Sequence, residues 1–577
     1  MMSLQINDNS KGINEMNKHM IHEKQEWADV RALIEWAADT HGEKPAFSYR
    51  LKANDKEPVS VSYIKLRDDI RALSGELLAK NIDNKKCVVI GKLSYNWIVT
   101  YYSVLIAGGV LVPLDRDWSA EDLADTSLKA GADFLFCDED IKEKAVTIAE
   151  KINLAEPVIY LNAKEEENSL ASLIAVGAEK FAEYSEAYFN KEIDTMRLSL
   201  LVFTSGTTGK GKGVMLTQNA ILSDMADVIP YIDFADTTVG VLPPHHTYGS
   251  SVMLIGHIMI GCEVYISSGI KYVQKELKDR CPGHMILVPL YLETFYRKIW
   301  ANIKEKGKEK TVNRMIKLFN AIHAPISWRK KIFKDIHAAF GGNVKMIITG
   351  GAPVNPDILC FFQSIGISVL NGYGITECAP IIAVNRSRNV VAGSVGNVLD
   401  IDTVVIDEPN EDGEGEILVK GPNVMLGYYN DEEATNEAFK DGYFRTGDYG
   451  KIEDGVLFIT GRKKNLIILS NGKNVYPEEI ENELVATPGV LDIIVYEGQS
   501  KRGISHNAIV AEIYPDKEYI EKNGITDVKA HLKPYIDNYN RNAVAYKKIG
   551  ILKVREEEFP KNTLRKIMRF KLDMSID

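Results

Sequence analysis

Residues 204–213 read TSGTTGKGKG and follow the apolar run SLLVF at 199–203. The loop offers the hydroxyls of Thr204, Ser205, Thr207 and Thr208 and the backbone N–H groups of Gly206, Gly209 and Gly211. Glycines let the backbone approach phosphate oxygens closely and hydroxyls add donors, so such a loop suits a polyphosphate. From Gly206 the stretch also matches G-x-x-x-x-G-K, yet Gly213 stands where that motif needs a Ser or Thr for Mg²⁺. A P-loop leads straight into a helix whose N-terminus meets the phosphates. Here GVMLT at 213–217 reads as a second strand, with a helix only from about Asn219. The phosphate loop is therefore expected between two strands, outside the P-loop class.

Around it, short β-rich runs alternate with helical periods: CVVIG at 87–91, ADFLFC at 132–137, VKMIITGG at 344–351 and ISVLNGYG at 367–374. Several end in glycine-rich loops, where open α/β sheets place ligands. Two α/β layered subdomains are expected. Past about residue 395, DTVVID, GEGEILVKG and GVLFITG change the texture to short strands and turns, which predicts a small β subdomain. The basic turn Gly461-Arg462-Lys463-Lys464 marks a boundary, followed by an α+β tail in which Pro477 opens a helix. The 577 residues thus divide into a flexible polar arm at 1–26, a large N-terminal domain at 27–463 and a C-terminal domain at 464–577.

TSGTTGKGKGVMLT resembles the signature of the AMP-forming adenylating enzymes, the superfamily of acyl-CoA synthetases, peptide-synthetase adenylation domains and luciferases. Gly211 stands where that family usually has proline, while Lys212 stays in register. The resemblance extends from PAFSYR at 45–50 to the last thirty residues. It implies a mobile C-terminal lid hinged near Lys464. NGYGITE at 371–377 is similar to the adenine and metal motif: Tyr373 would stack on the base, Thr376 would touch the α-phosphate and Glu377 would ligate Mg²⁺, with Asn371, Gly372 and Gly374 completing the motif. Gly351, Ala352 and Pro353 would wall the other side of adenine. Asp448 of YFRTGDYG would accept the ribose hydroxyls with help from Arg462. Lys566 of PKNTLRKIMR would be the catalytic cation, His246 of PPHHTYG the gate between acyl pocket and ATP, and Gly472 a lining residue of the pantetheine tunnel. His245 is the weaker gate candidate.

The implied reaction is ATP-dependent activation of a carboxylic acid to acyl-AMP with release of pyrophosphate, then transfer to coenzyme A. The run at 461–481 and Arg565 before Lys566 are similar to bacterial long-chain fatty acyl-CoA ligases, which implies a medium- or long-chain fatty acid. Met253, Leu254 and Ile258, near the expected acyl pocket, fit a lipid tail and would also fit a plain core. An acyl carrier protein as the thiol acceptor stays open, as do a P-loop-type nucleotide switch and a non-catalytic nucleotide sensor.

A net charge of −11 leaves no overall basic footprint for nucleic acid. The six cysteines show no C-x-x-C pair, so neither a zinc site nor a disulfide framework is indicated and a reducing cytoplasm is expected. Residues 1–26 lack the apolar core of a signal peptide, and no run reaches the roughly 18 apolar residues that span a bilayer. One region departs from the global charge. Residues 297–335 carry twelve Lys or Arg against three Asp or Glu, and Val312, Met315, Phe319 and Ile322 fall on one helical face. Two readings follow: a solvated surface helix, or a peripheral membrane-surface patch where a lipid substrate arrives.

Overall fold

Strands buried on both faces read as continuous apolar runs and pair in parallel under covering helices. Lys86–Ile90, Val110–Leu114, Phe134–Cys137 and Leu198–Thr204 do so in a computed structural model that describes residues 19–163, 168–204, 211–352, 354–469, 474–499, 505–561 and 567–576. Lys212–Thr217 then turns back antiparallel to Leu198–Thr204, with Thr204 opposite Lys212, and the helix Gln218–Val228 begins only after that strand. The short strand Gly427–Tyr428, far along the chain, closes this seven-stranded sheet by pairing with Lys212–Thr217.

A second sheet starts with three parallel strands, His284–Leu287, Met346–Gly350 and Ser368–Gly374. It continues antiparallel through Ile381–Val384, Gly396–Val398, Val456–Arg462, Tyr443–Glu453, Gly415–Lys420 and Thr403–Asp407. The β-rich segment past residue 395 is thus hydrogen-bonded into the same sheet as the strand that carries Tyr373. A four-stranded sheet built on Pro45–Tyr49 and Glu263–Ile266 completes the N-terminal part. The apolar stretch after His246 forms a π-helical segment, Tyr248–Gly256, of which Met253 and Leu254 are fully buried.

The C-terminal sheet Val490–Gln499, Ser505–Pro515 and Ile549–Val554 packs on the helices Pro477–Leu484 and Val528–Asn542. Its apolar cluster includes Val475, Ile480, Leu484, Val495, Ile513 and Leu532, and every member comes from Ile467 onward. A core of its own is what lets a unit move as a body. This C-terminal part touches the N-terminal part at Arg297 Nη1, which donates to Val490 O at 3.4 Å, and at Asn355 Nδ2, which donates to Asn482 O at 2.7 Å.

Two expectations need correction. Part of the expected flexible arm is fastened: Ile21 N donates to Pro230 O at 2.7 Å, Arg388 Nη1 to Met20 O at 2.8 Å, and Lys24 pairs with Asp227 at 2.9 Å. Residues 1–18 lie outside the described set. Ile322 does not share the buried face of Phe319, because the helix Glu309–Ala321 ends one residue before it. Among the described residues no helix is long and apolar enough to cross a membrane.

Gly177 lets the helix Leu170–Glu179 pack onto Tyr63–Ala79, since a Cβ there would lie 2.1 Å from the Ala72 carbonyl oxygen. Gly177→Ala should cost about 1–3 kcal/mol through overpacking, read as earlier thermal or urea unfolding. Unfolding at the wild-type midpoint would show that the helices separate freely.

Candidate functional site

The strand that begins at Ser368 ends in the turn carrying Glu377, and its fate is set by a close backbone approach. A Cβ on Gly374 would fall 1.9 Å from Pro380 O, so only glycine lets this strand meet the returning one. Thr376–Cys378 form a 3₁₀ turn, which brings Glu377 Oε1 to 3.0 Å from the Tyr428 hydroxyl that donates to it. Burial pushes the Glu377 carboxyl above its usual range. Lys212 reaches the same place from the first sheet, its Nζ 4.5 Å from the centre of the Tyr428 ring. Tyr428 therefore joins a carboxylate and an ammonium from different sheets. Sequence reading missed it, and its only signal is position two residues before a turn.

Tyr373 projects from the same strand. Its hydroxyl donates to Asp448 Oδ2 at 2.8 Å, while Arg462 Nε lies 3.0 Å from Asp448 Oδ1. Asp448 and Arg462 face each other in register across the hairpin Tyr443–Glu453 and Val456–Arg462. The Asp448 side chain is 5% exposed and that of Arg462 43%, so the carboxylate is held from a partly open side. Asn371 donates through Nδ2 to Ser394 O at 3.2 Å, and its Oδ1 is buried without a hydrogen-bond partner. Gly351 is exposed at φ +82° and Ala352 half-buried, just before the Asn355 contact with the lid. Thr204, Lys212, Gly372, Tyr373, Glu377, Asp448 and Arg462 are thus placed by adjacent strand ends and turns. Ser205, Gly206, Thr207, Thr208, Pro353, Gly472 and Lys566 lie outside the described residues. The flanks of Lys566 are described: Lys561 and Ile567 pair in an isolated bridge.

Lys561 also lines a cavity of about 1260 Å³. One wall is apolar, with Tyr291, Phe295, Ile299, Ile303, Val312 and Met315, and another is the turn 240–245 that ends in His245. His245, not His246, is the histidine on this wall, because the turn before Tyr248–Gly256 directs the first of the pair toward Asp115. Burial pushes the His245 pKa down to about 4, so its Nε2, 3.6 Å from Asp115 Oδ2, belongs to an uncharged ring at neutral pH. His246 packs 4.3 Å from it, ring centre to ring centre. Met253 and Leu254 of the π-helical segment, and Ile258 of the short helix His257–Met259 that follows it, are buried in the apolar core of the N-terminal part rather than lining the cavity. Where the lid meets the cavity, Lys561 Nζ pairs with Asp492 at 2.7 Å and with Glu558 at 2.9 Å.

Two further polar groups are buried elsewhere. His257 Nδ1 lies 3.0 Å from Val252 O and its Nε2 2.9 Å from His284 Nε2; burial pushes both rings toward the uncharged form, and Cys262 lies beside them. Beneath the Glu377 turn, Asn423 Nδ2 donates to Ile381 O at 3.0 Å and to Asp402 Oδ2 at 3.1 Å, and Ile381 N donates to Asp224 Oδ2 at 3.3 Å. Burial pushes Asp402 up to about 7 and Asp224 well above the usual carboxylate range.

The family described as AMP-binding enzyme matches residues 34–429. Long-chain-fatty-acid–CoA ligase 5 of Rattus norvegicus is 28% identical over 496 residues, covering 79% of this chain and 71% of its own. Long-chain-fatty-acid–CoA ligase FadD15 of Mycobacterium bovis is 28% identical over 464 residues, 75% of each chain. The ATP-bound structure of MatB from Rhodopseudomonas palustris superposes with a TM-score of 0.73 at 24% identity, over 94% of this chain and 97% of MatB, and so shares the fold.

A carboxyl with a raised folded pKa keeps a proton that the unfolded chain has already released, so stability falls as pH rises through the window between the two values. For Asp402 that window runs from about pH 4 to about pH 7. Asp402→Asn should flatten the decline of the urea midpoint across it. An undiminished slope would show that Asp402 does not titrate there.

Proposed function

The chain belongs to the AMP-binding enzyme family, and on that footing we propose that it is an ATP-dependent acid–thiol ligase acting on a medium- or long-chain fatty acid. The observation that carries the choice of acid is the cavity of about 1260 Å³ with its apolar wall. It exceeds the roughly 300–1,000 Å³ of ordinary small-molecule pockets, and each methylene it buries contributes about 0.8 kcal/mol. The long-chain ligases among its relatives support the same reading.

In the first half-reaction a carboxylate oxygen of the acid attacks the α-phosphorus of ATP, and the bond to the bridging oxygen breaks to release pyrophosphate. Asp448 accepts the ribose hydroxyls through lone pairs left free by Tyr373 and Arg462. Asn371 Oδ1, a buried acceptor without a partner, suits an exocyclic amino group. Lys212 serves the phosphates. Glu377 fits Mg²⁺, which takes one or two carboxylates together with substrate phosphate oxygens, and the ion would neutralise phosphate charge. We assign the gate between acyl cavity and nucleotide to His245, whose uncharged ring borders the cavity beside Asp115.

Lys566 supplies the cation for this step. The support is the motif PKNTLRKIMR, whose described Lys561, five positions earlier in the sequence, lines the cavity. In the second half-reaction a thiol sulfur attacks the acyl carbonyl carbon and AMP leaves. The lid must withdraw Lys566 first, turning about Lys464 and bringing Gly472 to the thiol tunnel. Coenzyme A is the proposed acceptor, and an acyl carrier protein is the alternative.

Pyrophosphate release measured across acids of rising chain length, with coenzyme A or a carrier protein supplied separately, tests the reading; no release with any acid would remove it. Val312→Trp fills the cavity, and denying room to two methylenes should cut kcat/KM for the longest acids about 15-fold while sparing short ones. Two unit charges about 4 Å apart at an effective dielectric near 20 interact by about 4 kcal/mol. Lys566→Ala should therefore slow acyl-AMP formation on the order of a thousandfold, while preformed acyl-AMP still yields thioester. Equal loss in both half-reactions would overturn that role.

A further inference from the structure

We propose that the helices Glu309–Ala321 and Ile326–Ile332 form a docking face for an anionic phospholipid bilayer, from which the acid passes into the acyl cavity. The passage of the acid rests on the fatty-acid reading above; the docking itself does not.

Single exposed apolar side chains are normal on soluble proteins, and clusters are not. Among the described residues, sixteen large hydrophobic side chains are exposed, and five of them fall within residues 318–332: Leu318, Ile322, Ile326, Trp328 and Ile332. Trp328 is 58% exposed and Ile326 60%. Tryptophan with an apolar body and a polar edge belongs at the boundary between hydrocarbon and headgroups. The segment is not a loose loop. Arg329 turns inward, its Nη2 donating to Phe319 O at 2.9 Å, its Nε to Ala324 O at 2.9 Å and its Nη1 to Ser364 O at 2.7 Å. That pins the two helices together and leaves the apolar side chains outside.

The charges around the patch point to the same partner. Lys310, Arg314, Lys317, Lys331 and Lys334 are exposed, and among the described residues none has a carboxylate within 4.0 Å. This lies on a chain whose net charge is −11, so the basic group is local. Unpaired ammonium groups next to exposed apolar side chains match a surface of anionic headgroups over hydrocarbon. A second copy of the chain would set like charge against like. The patch is continuous with the cavity: Ile332 belongs to both, and the next residues inward, Phe333 and Ile336, line the cavity. An acid leaving the bilayer at this face would meet the apolar side chains of Ile332, Phe333 and Ile336 before Val312 and Met315, with Asp335 and Lys308 also on the lining.

The test uses the full chain and vesicles of equal parts phosphatidylglycerol and phosphatidylcholine, with pure phosphatidylcholine as the control. Wild type should sediment with the anionic vesicles, be released by salt and ignore the control. Lys331→Gln combined with Lys334→Gln should weaken the partition about thirtyfold, and Ile326→Ser combined with Trp328→Ser should weaken it as well. Both variants should turn over octanoate in vesicle-free buffer like wild type, yet lose activity on oleate held in anionic vesicles. Wild-type partition equal on both vesicles, or variants that bind undiminished, would overturn the proposal. So would a wild-type dimer that Ile326→Ser with Trp328→Ser splits, because the face would then join two copies. Failure of wild type on octanoate would strike the ligase reading instead and leave the vesicle result standing.

Discussion

Asp448 is a buried carboxylate held at both oxygens, by the Tyr373 hydroxyl and by Arg462. A charge in that position is costly unless it is paired, and removing one partner of such a pair typically costs about 3–5 kcal/mol. The three residues come from the end of a parallel strand and from both arms of an antiparallel hairpin in the same sheet. Keeping the carboxylate satisfied therefore fixes where the hairpin ends relative to the strand. Arg462 is followed at once by the turn Lys463–Asn465, so the position of that turn is fixed by the same contact. Burial and the Arg462 charge also press the Lys464 pKa downward, so the turn tolerates a second cation there only at a cost.

The two sheets meet through contacts that no local pattern announces. Tyr428 donates to Glu377 and offers its ring to Lys212, although its own strand is two residues long. Asn423 spans Ile381 and Asp402 beneath the same turn. Among the described residues this network is only partly satisfied, since Asn423 Oδ1 and Asp402 Oδ1 are buried without a hydrogen-bond partner, and in a low dielectric each unpaired group carries a cost. These contacts tie the Glu377 turn to the first sheet from below, while the C-terminal part beyond Ile467 has an apolar cluster of its own.

Much of this was legible in the amino-acid sequence. The apolar runs ending in glycine placed the parallel strands, and GVMLT at 213–217 read as a strand rather than a helix start agrees with the antiparallel return of Lys212–Thr217. The ordered motifs that contain Tyr373, Glu377, Asp448 and Arg462 did converge in space. What stayed hidden was set by non-local packing. Which of two adjacent histidines faces a cavity depends on the turn before a π-helical segment, and no periodicity records that. Met253 and Leu254 read equally as cavity wall or core until the packing chooses. The β-rich texture after residue 395 suggested a separate unit because sequence shows strand content but not strand partners, and here the partner is the neighbouring sheet.

The strand Gly427–Tyr428 has one more consequence. It covers the outer edge of Lys212–Thr217, which must wait for it through roughly two hundred intervening residues. A ribosome adding about 5–20 residues per second would leave that edge bare on the order of 10–40 s. An unpaired, apolar strand edge is a template for pairing with other nascent chains. The first sheet therefore needs chaperone protection at this edge during synthesis, although its other strands are already made.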